Sequence, residues 1–315
     1  MPFINLVDPE LVDALDFFPA ELMTAIGDDP PKARVMFQPI WDSLADDLKN
    51  APVTIEERTI PGPEGEIGVV IYQPPTPAPR GGLLWIHGGG YIVGSGRNDP
   101  HGIGFAEHAG CTVVSVDYRL APESPYPAAI SDCFGALCWL AENTDELGVD
   151  PARIAIGGAS AGGGLTAALA LYNRDHGGPD LAYQLLIYPM IDDRHETPSG
   201  REITHPTVWN RELSLKAWRM YLGAEYGRES VSPYAAAARA RDLSGLPPAL
   251  VTVGMLDLFR DENIDYAQRL MAAGVPTELQ VYPGMYHGAE MSVMDAAVSI
   301  RMRTAYRDAL RRAIG

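Results

Sequence analysis

Short apolar runs recur through the middle of the chain without strict alternation: Leu83–Ile86, Thr112–Val116, Ile154–Ile156, Leu185–Tyr188 and Leu250–Val253. A strand with one wet face alternates apolar and polar positions, whereas a strand covered on both faces is apolar throughout. The runs are separated by stretches long enough for helices, which predicts an α/β architecture with a mostly parallel sheet. Helices are expected over Ala128–Leu147, Ala161–Arg174 and Asn263–Ala273. In the last, Ile264, Ala267, Leu270 and Met271 recur at helical spacing before Gly274 and Pro276 stop the pattern. A final strand over Glu278–Tyr282 and a helix over Met291–Arg312 complete this series.

Other segments depart from that rhythm. True alternation occurs at Val53–Ile60 and again at Ile67–Gln73, with Pro61-Gly62-Pro63-Glu64-Gly65-Glu66 between, and predicts an antiparallel hairpin. Before it, residues 8–50 carry mixed helical periodicity, with Leu11, Leu15, Phe18 and Leu22, then Trp41, Leu44 and Leu48. These fit one or two helices laid over the remainder. The stretch 192–228, with Asp192, Asp193, His195, Trp209, Trp218 and Tyr221, interrupts the strand–helix order like an insertion between two core strands. No internal repeat of roughly 20–50 residues is visible.

Length and composition narrow the class. A chain of 315 residues suffices for one large α/β domain with a small cap, and 46% apolar residues suit a packed core. The formal charge of −17 repels phosphate backbones and anionic lipid, which argues against nucleic-acid and membrane partners. Cys111, Cys133 and Cys138 lack CxxC spacing and fit buried thiols rather than a disulfide framework or zinc site. The residues starting Met1-Pro2-Phe3-Ile4-Asn5 show no basic stretch followed by an apolar core and cleavage site, and no apolar run approaches a membrane span. A cytoplasmic location is therefore expected.

The chemistry is carried by loops that follow the apolar runs. After Ile154-Ala155-Ile156-Gly157 comes Gly158-Ala159-Ser160-Ala161-Gly162, then a small-residue helix pattern. Strand, tight turn and helix in that order would display the Ser160 hydroxyl at the carboxyl end of a strand, where open α/β sheets bind ligands. The bland alternative is a helix N-cap serine with glycine-rich packing. His87-Gly88-Gly89-Gly90 ends another run. Its glycines would let backbone amides approach a ligand and meet a developing oxyanion, and the Ala161 amide could add another donor. A tight surface loop is the competing reading; neither GxGxxG nor a GK[ST] ending marks a phosphate cradle.

A serine nucleophile needs a base, and seven histidines are available. His287 has the best context, in a loop after the last strand. His101, His108 and His176 fit structural or surface roles, and His195 and His205 fall in the insertion. His87 is better placed to orient the glycine loop than to act as base. The carboxylate that fixes the imidazole tautomer is expected at Asp257, just beyond Val251-Thr252-Val253-Gly254. Asp261 and Glu262 suit the acidic first turn of the next helix. Asp117 also follows a strand but precedes the serine, against the order in which Ser160, Asp257 and His287 follow one another; its segment Asp117–Glu123 suits a loop below the site, with Arg119 and Glu123 as possible partners.

With these residues the chain resembles the hormone-sensitive-lipase-like family of α/β-hydrolases, which includes bacterial carboxylesterases and a heroin-esterase-like subgroup. The likeness spans about Leu83 to His287 and includes the Asp117–Glu123 segment. It implies the α/β-hydrolase fold: a mostly parallel eight-stranded sheet, helices on both faces and a helical cap. The cap would comprise 1–50 and 192–228, and the core 51–191 with 229–315. By the same resemblance Ser160 is nucleophile, Asp257 acid and His287 base, while Gly89, Gly90 and Ala161 form the oxyanion hole and Gly88 shapes its approach. Ala159 stands where the family often has Asp, and Leu258 where Asp-Pro-Leu is frequent.

The expected reaction is hydrolysis of short-chain or aryl carboxylic esters through an acyl-enzyme, with a small-molecule ester as partner and no cofactor or metal. An amidase or lactonase with the same triad, and a non-catalytic receptor on the same fold, are the alternatives. Tyr91, Trp209, Trp218 and Tyr221 are candidates for an aromatic substrate pocket, or equally for cap packing. A homodimer through the terminal strand or final helix stands beside a monomer.

Overall fold

The computed structural model describes residues 3–16, 19–48, 51–97 and 99–315. The strands are β1 (Thr54–Gly62), β2 (Gly65–Gln73), β3 (Arg80–Ile86), β4 (Thr112–Asp117), β5 (Val149–Ala159), β6 (Tyr183–Ile187), β7 (Ala249–Gly254) and β8 (Thr277–Tyr282). They form one eight-stranded sheet in the order β1-β2-β4-β3-β5-β6-β7-β8. β1 and β2 pair antiparallel, as do β2 and β4, and all later pairs are parallel. Every residue of β6 and β7 is buried, which is why their sequences do not alternate. In the hairpin Gly62 faces Gly65, so only Pro63 and Glu64 turn the chain, a tighter connection than the six-residue one expected.

The helices are α1 (Ala20–Asp28), α2 (Pro30–Leu48), α3 (Pro100–Ala109), α4 (Ala128–Glu142), α5 (Thr144–Leu147), α6 (Ala161–Asp175), α7 (Pro198–Glu202), α8 (Arg211–Leu222), α9 (Arg260–Ala272), α10 (Ala289–Ser292) and α11 (Ala297–Ile314). α3 packs with α11 and α4 with α6, and each pair also touches the sheet. Two expected helices are divided. Asn143 separates α4 from α5, its side chain donating to the Trp139 carbonyl at 2.8 Å, and 293–296 separate α10 from α11. His101 lies inside α3, because Asp99 caps that helix by accepting the His101 N–H at 2.9 Å and Pro100 opens it.

Leu11, Leu15 and Leu22 are buried, the first two in a 3-10 helix (Pro9–Asp16) and the third in α1. Phe18 lies outside the described residues, as do the side chains of Trp41, Leu44 and Leu48. The 192–228 stretch contains α7 and α8, and α8 meets α1, where Lys216 pairs with Asp28 at 2.7 Å. Arg34 on α2 is the stronger tie to the core. It donates to the Ile92 carbonyl at 2.9 Å and the Ala121 carbonyl at 2.7 Å, and forms a two-pronged pair with Glu123.

The other charges of the Asp117–Glu123 loop also find partners different from those expected. Arg119 grips Asp132 with two nitrogens and reaches Glu64, while Asp117 accepts the Gly96 N–H at 3.1 Å. The loop is thus fastened to α4, the hairpin and α2. No helix among the described residues is long and apolar enough to cross a membrane.

Candidate active site

Three loops at the carboxyl ends of parallel strands converge. Ser160 stands between β5 and α6 with φ 57° and ψ −121°, a conformation non-glycine residues rarely adopt. Its N–H donates to the Ile187 carbonyl at 2.9 Å, and its own carbonyl accepts from Gly164 and Met190, so the surrounding backbone holds the strained turn. The flanking glycines are required by contact. A β-carbon on Gly158 would lie 2.3 Å from the Gly162 carbonyl oxygen, and one on Gly162 would lie 2.0 Å from that of Ile86. Because α6 can press its first turn against the end of β3, the serine comes beside the glycine loop.

His287 Nε2 lies 2.8 Å from Ser160 Oγ, and Nδ1 lies 2.8 Å from Asp257 Oδ2. A carboxylate at Nδ1 accepts the proton carried there, which leaves Nε2 to accept from the serine hydroxyl. Asp257 is fully buried, and its Oδ1 accepts the Phe259 N–H at 2.9 Å. Leu258, the next residue, is buried, and its carbonyl accepts the Ser199 hydroxyl at 2.9 Å. Asp261 accepts the Ser199 N–H at 2.7 Å and returns its own N–H to that hydroxyl at 3.1 Å. The acid loop is therefore anchored by α7 without a proline.

Glu262 does more than favour the start of α9. Buried, it accepts N–H groups of Ile191 and Asp192 at 3.0 and 3.2 Å, and burial followed by the nearby Asp192 charge pushes its carboxyl well above the usual range. Ala159 is buried and pairs with Ile187 across β5 and β6; its site introduces no charge beside the serine.

The glycine loop lies directly against the elbow. A β-carbon on Gly88 would approach the Ala159 carbonyl oxygen at 3.0 Å and the Ser160 β-carbon at 3.3 Å. Gly89 and Gly90 have φ of 115° and 62°, and a β-carbon on Gly90 would strike the Trp209 ring at 2.3 Å. His87 is buried, stacked on Tyr118 at 4.3 Å, with Nδ1 2.7 Å from the Gly88 carbonyl. Since a carbonyl only accepts, Nδ1 carries the proton; burial also pulls this imidazole below its ordinary pKa. Tyr118 donates to the His87 carbonyl at 3.0 Å, holding the start of the loop from the other side.

The four candidate pocket aromatics separate into two groups. Trp209 sits over Gly90 and next to His287, with ring centroids 6.3 Å apart. Tyr91, Trp218 and Tyr221 instead pack on one another: Tyr91 stacks on Tyr221 at 4.0 Å, tilts against Trp218 at 5.2 Å and donates to the Met190 carbonyl at 2.6 Å. All three are at most 1% exposed, so their rings join α8 to the glycine loop instead of facing open space. A groove of about 450 Å³ between α1 and α8 is lined by Met23, Thr24, Asn210, Leu213 and Lys216 among others, and by none of the four aromatics.

The remaining histidines have partners elsewhere. His108 pairs with Asp308, His176 stacks on Tyr172, His195 meets the Ser214 hydroxyl and His205 stacks on Phe3. Among the described residues no group of three or more His, Cys, Asp or Glu side chains is arranged to hold a metal. The sequence reading missed Tyr188 and Phe259, whose rings meet the His287 imidazole edge-on at 4.7 and 5.1 Å. It also missed Glu290, buried three residues after His287.

Comparisons agree with this geometry. Residues 83–291 match a family model described as the alpha/beta hydrolase fold. Carboxylesterase NlhH of Mycobacterium tuberculosis is 40% identical over 290 residues, covering 90% of this chain and 88% of that protein. The solved structure of a bacterial heroin esterase is 39% identical with a TM-score of 0.93 and 99% of each chain covered. Esterase LipW from Mycobacterium marinum is 35% identical with a TM-score of 0.88, covering 98% and 96% of the two chains. The chain belongs to the α/β-hydrolase family and, within it, to the carboxylic ester hydrolases.

Proposed function

We propose that Ser160 attacks the carbonyl of a short-chain or aryl carboxylic ester while His287 takes its proton and Asp257 steadies the imidazolium that results. The observation supporting this reading is the unbroken chain from Ser160 Oγ through His287 to Asp257, with 2.8 Å at each link. The negative oxygen of the tetrahedral intermediate would be met by the backbone amides of Gly89, Gly90 and Ala161. Ala161 is the first residue of α6, so its N–H has no carbonyl one helical turn earlier to satisfy it. Collapse expels the alcohol, which takes the proton from His287, and leaves an acyl group on Ser160. Water then attacks that ester, giving its proton to His287, and the carboxylic acid and the serine hydroxyl are regenerated.

The cap in this reading consists of 1–50 and 192–228. Trp209 closes the site over the glycine loop and favours small acyl groups. Ser160→Ala and His287→Ala are each expected to lower ester turnover by roughly 10⁴-fold or more in folded protein. Turnover that survives both changes refutes the mechanism, and a stoichiometric burst of alcohol from an activated aryl ester supports the acyl-enzyme.

A further inference from the structure

A line of buried polar groups extends from His287 away from the serine. Tyr188 follows β6 and has φ 36°, an uncommon value for a residue with a side chain. Its ring edge rests on the His287 imidazole at 4.7 Å, and its hydroxyl donates to Glu290 Oε1. Glu290 is 1% exposed and starts α10 together with Ala289, so one carboxylate links the loop bearing His287 to the end of β6.

On its far side Glu290 faces His101 of α3, whose Nε2 is 3.9 Å from Oε1, an ion-pair separation too long for a hydrogen bond. His101 Nδ1 is 3.0 Å from Asp99 Oδ1, and Asp99 accepts the Trp85 indole N–H at 2.5 Å. Arg303 of α11 donates to the Glu290 backbone carbonyl at 3.2 Å. Among the described residues Glu290 Oε2 has no hydrogen-bond partner, leaving Tyr188 as the side chain bonded to this carboxylate.

Burying a carboxylate costs several kcal/mol unless charge and hydrogen bonds offset it, and an apolar side chain would fill this place more cheaply. The position of the acid has a geometric consequence. Asp257 restrains His287 in the plane of the ring through Nδ1, yet rotation about that single bond would swing Nε2 away from Ser160. Rings packed against the imidazole oppose the swing: Phe259 lies on it at 5.1 Å and Tyr188 at 4.7 Å, and of the two Tyr188 is also tethered through its hydroxyl, to Glu290.

We propose that Glu290 is a positioning residue for His287, acting by holding Tyr188 against the imidazole so that Nε2 stays aligned with Ser160. The inference rests on His287 being the base. Glu290→Ala is expected to lower kcat about tenfold, with KM changed less than twofold, because geometry rather than substrate affinity is lost. Tyr188→Phe should do the same, and the double variant should be no worse than either single one. Glu290→Gln, which keeps an acceptor oxygen for the Tyr188 hydroxyl, should remain within twofold of the unaltered protein.

The measurement is steady-state turnover of an aryl ester, with active sites counted by the alcohol burst so that misfolded protein is excluded. The downfield proton resonance of His287 Nδ1–H, followed in the same variants, should broaden or shift in Glu290→Ala and not in Glu290→Gln. A kcat per active site within twofold of normal in Glu290→Ala and Tyr188→Phe overturns the proposal, as does a Glu290→Gln variant as impaired as Glu290→Ala. His287→Ala serves as the control: if it keeps full turnover, the reading of the base has failed instead.

Discussion

Trp209 lies over Gly90 and beside His287, with its indole N–H buried and without a partner among the described residues. On the proposed reading, a ring held there by packing limits the space above the serine. Trp209→Ala should therefore shift preference toward longer acyl or alcohol groups, read as an increase in kcat/KM for a longer ester relative to an acetate; an unchanged chain-length profile would remove Trp209 from the pocket. That Ser160, Asp257 and His287 come together was legible because each follows its own strand, in the order expected for α/β-hydrolases. Glu290 and Tyr188 were not. The two are 102 residues apart, and nothing local in either sequence context indicates the other. Arg34 was hidden for the same reason, since its acceptors lie 58 and more residues away.

Strands read more clearly than helix ends. The continuous apolar runs located β3 to β7 because burial on both faces leaves few polar positions to confuse the pattern. Helix boundaries depend on caps and side-chain bonds, so α9 starts three residues before the periodicity at Asn263, and α4 ends at the Asn143 bond. The placement of α2 depends on Arg34, which meets two carbonyls and a carboxylate at once. Arg34→Ala should destabilise the protein by about 1–3 kcal/mol in urea unfolding. Arg34→Lys should rescue little, since an ammonium cannot match the planar fork. Faster hydrogen exchange confined to α2 would locate the loss there; unchanged unfolding would make the contact dispensable.

Across the whole molecule, stability should depend on pH through His101. Burial alone would lower its pKa, but Asp99, followed by Glu290, outweighs that and raises it from 6.5 to about 9. A group whose pKa rises on folding stabilises the protein fully below its unfolded value, and this contribution disappears as pH climbs through the folded one. Unfolding free energy should therefore fall between about pH 6.5 and 9, by on the order of 3 kcal/mol from this group. His101→Gln should flatten the slope, and an equal slope in that variant would rule out His101 as its source. The assembly of the site has another consequence, for the chain during synthesis. Ser160 precedes His287, its proposed base, by 127 residues, and His287 follows the last strand of the sheet. A ribosome making this protein thus spends about two fifths of elongation between adding the serine and adding its proposed base. On the proposed mechanism hydrolysis waits for the segment after β8, so esterase activity in a nascent-chain assay would time the arrival of that loop at Ser160.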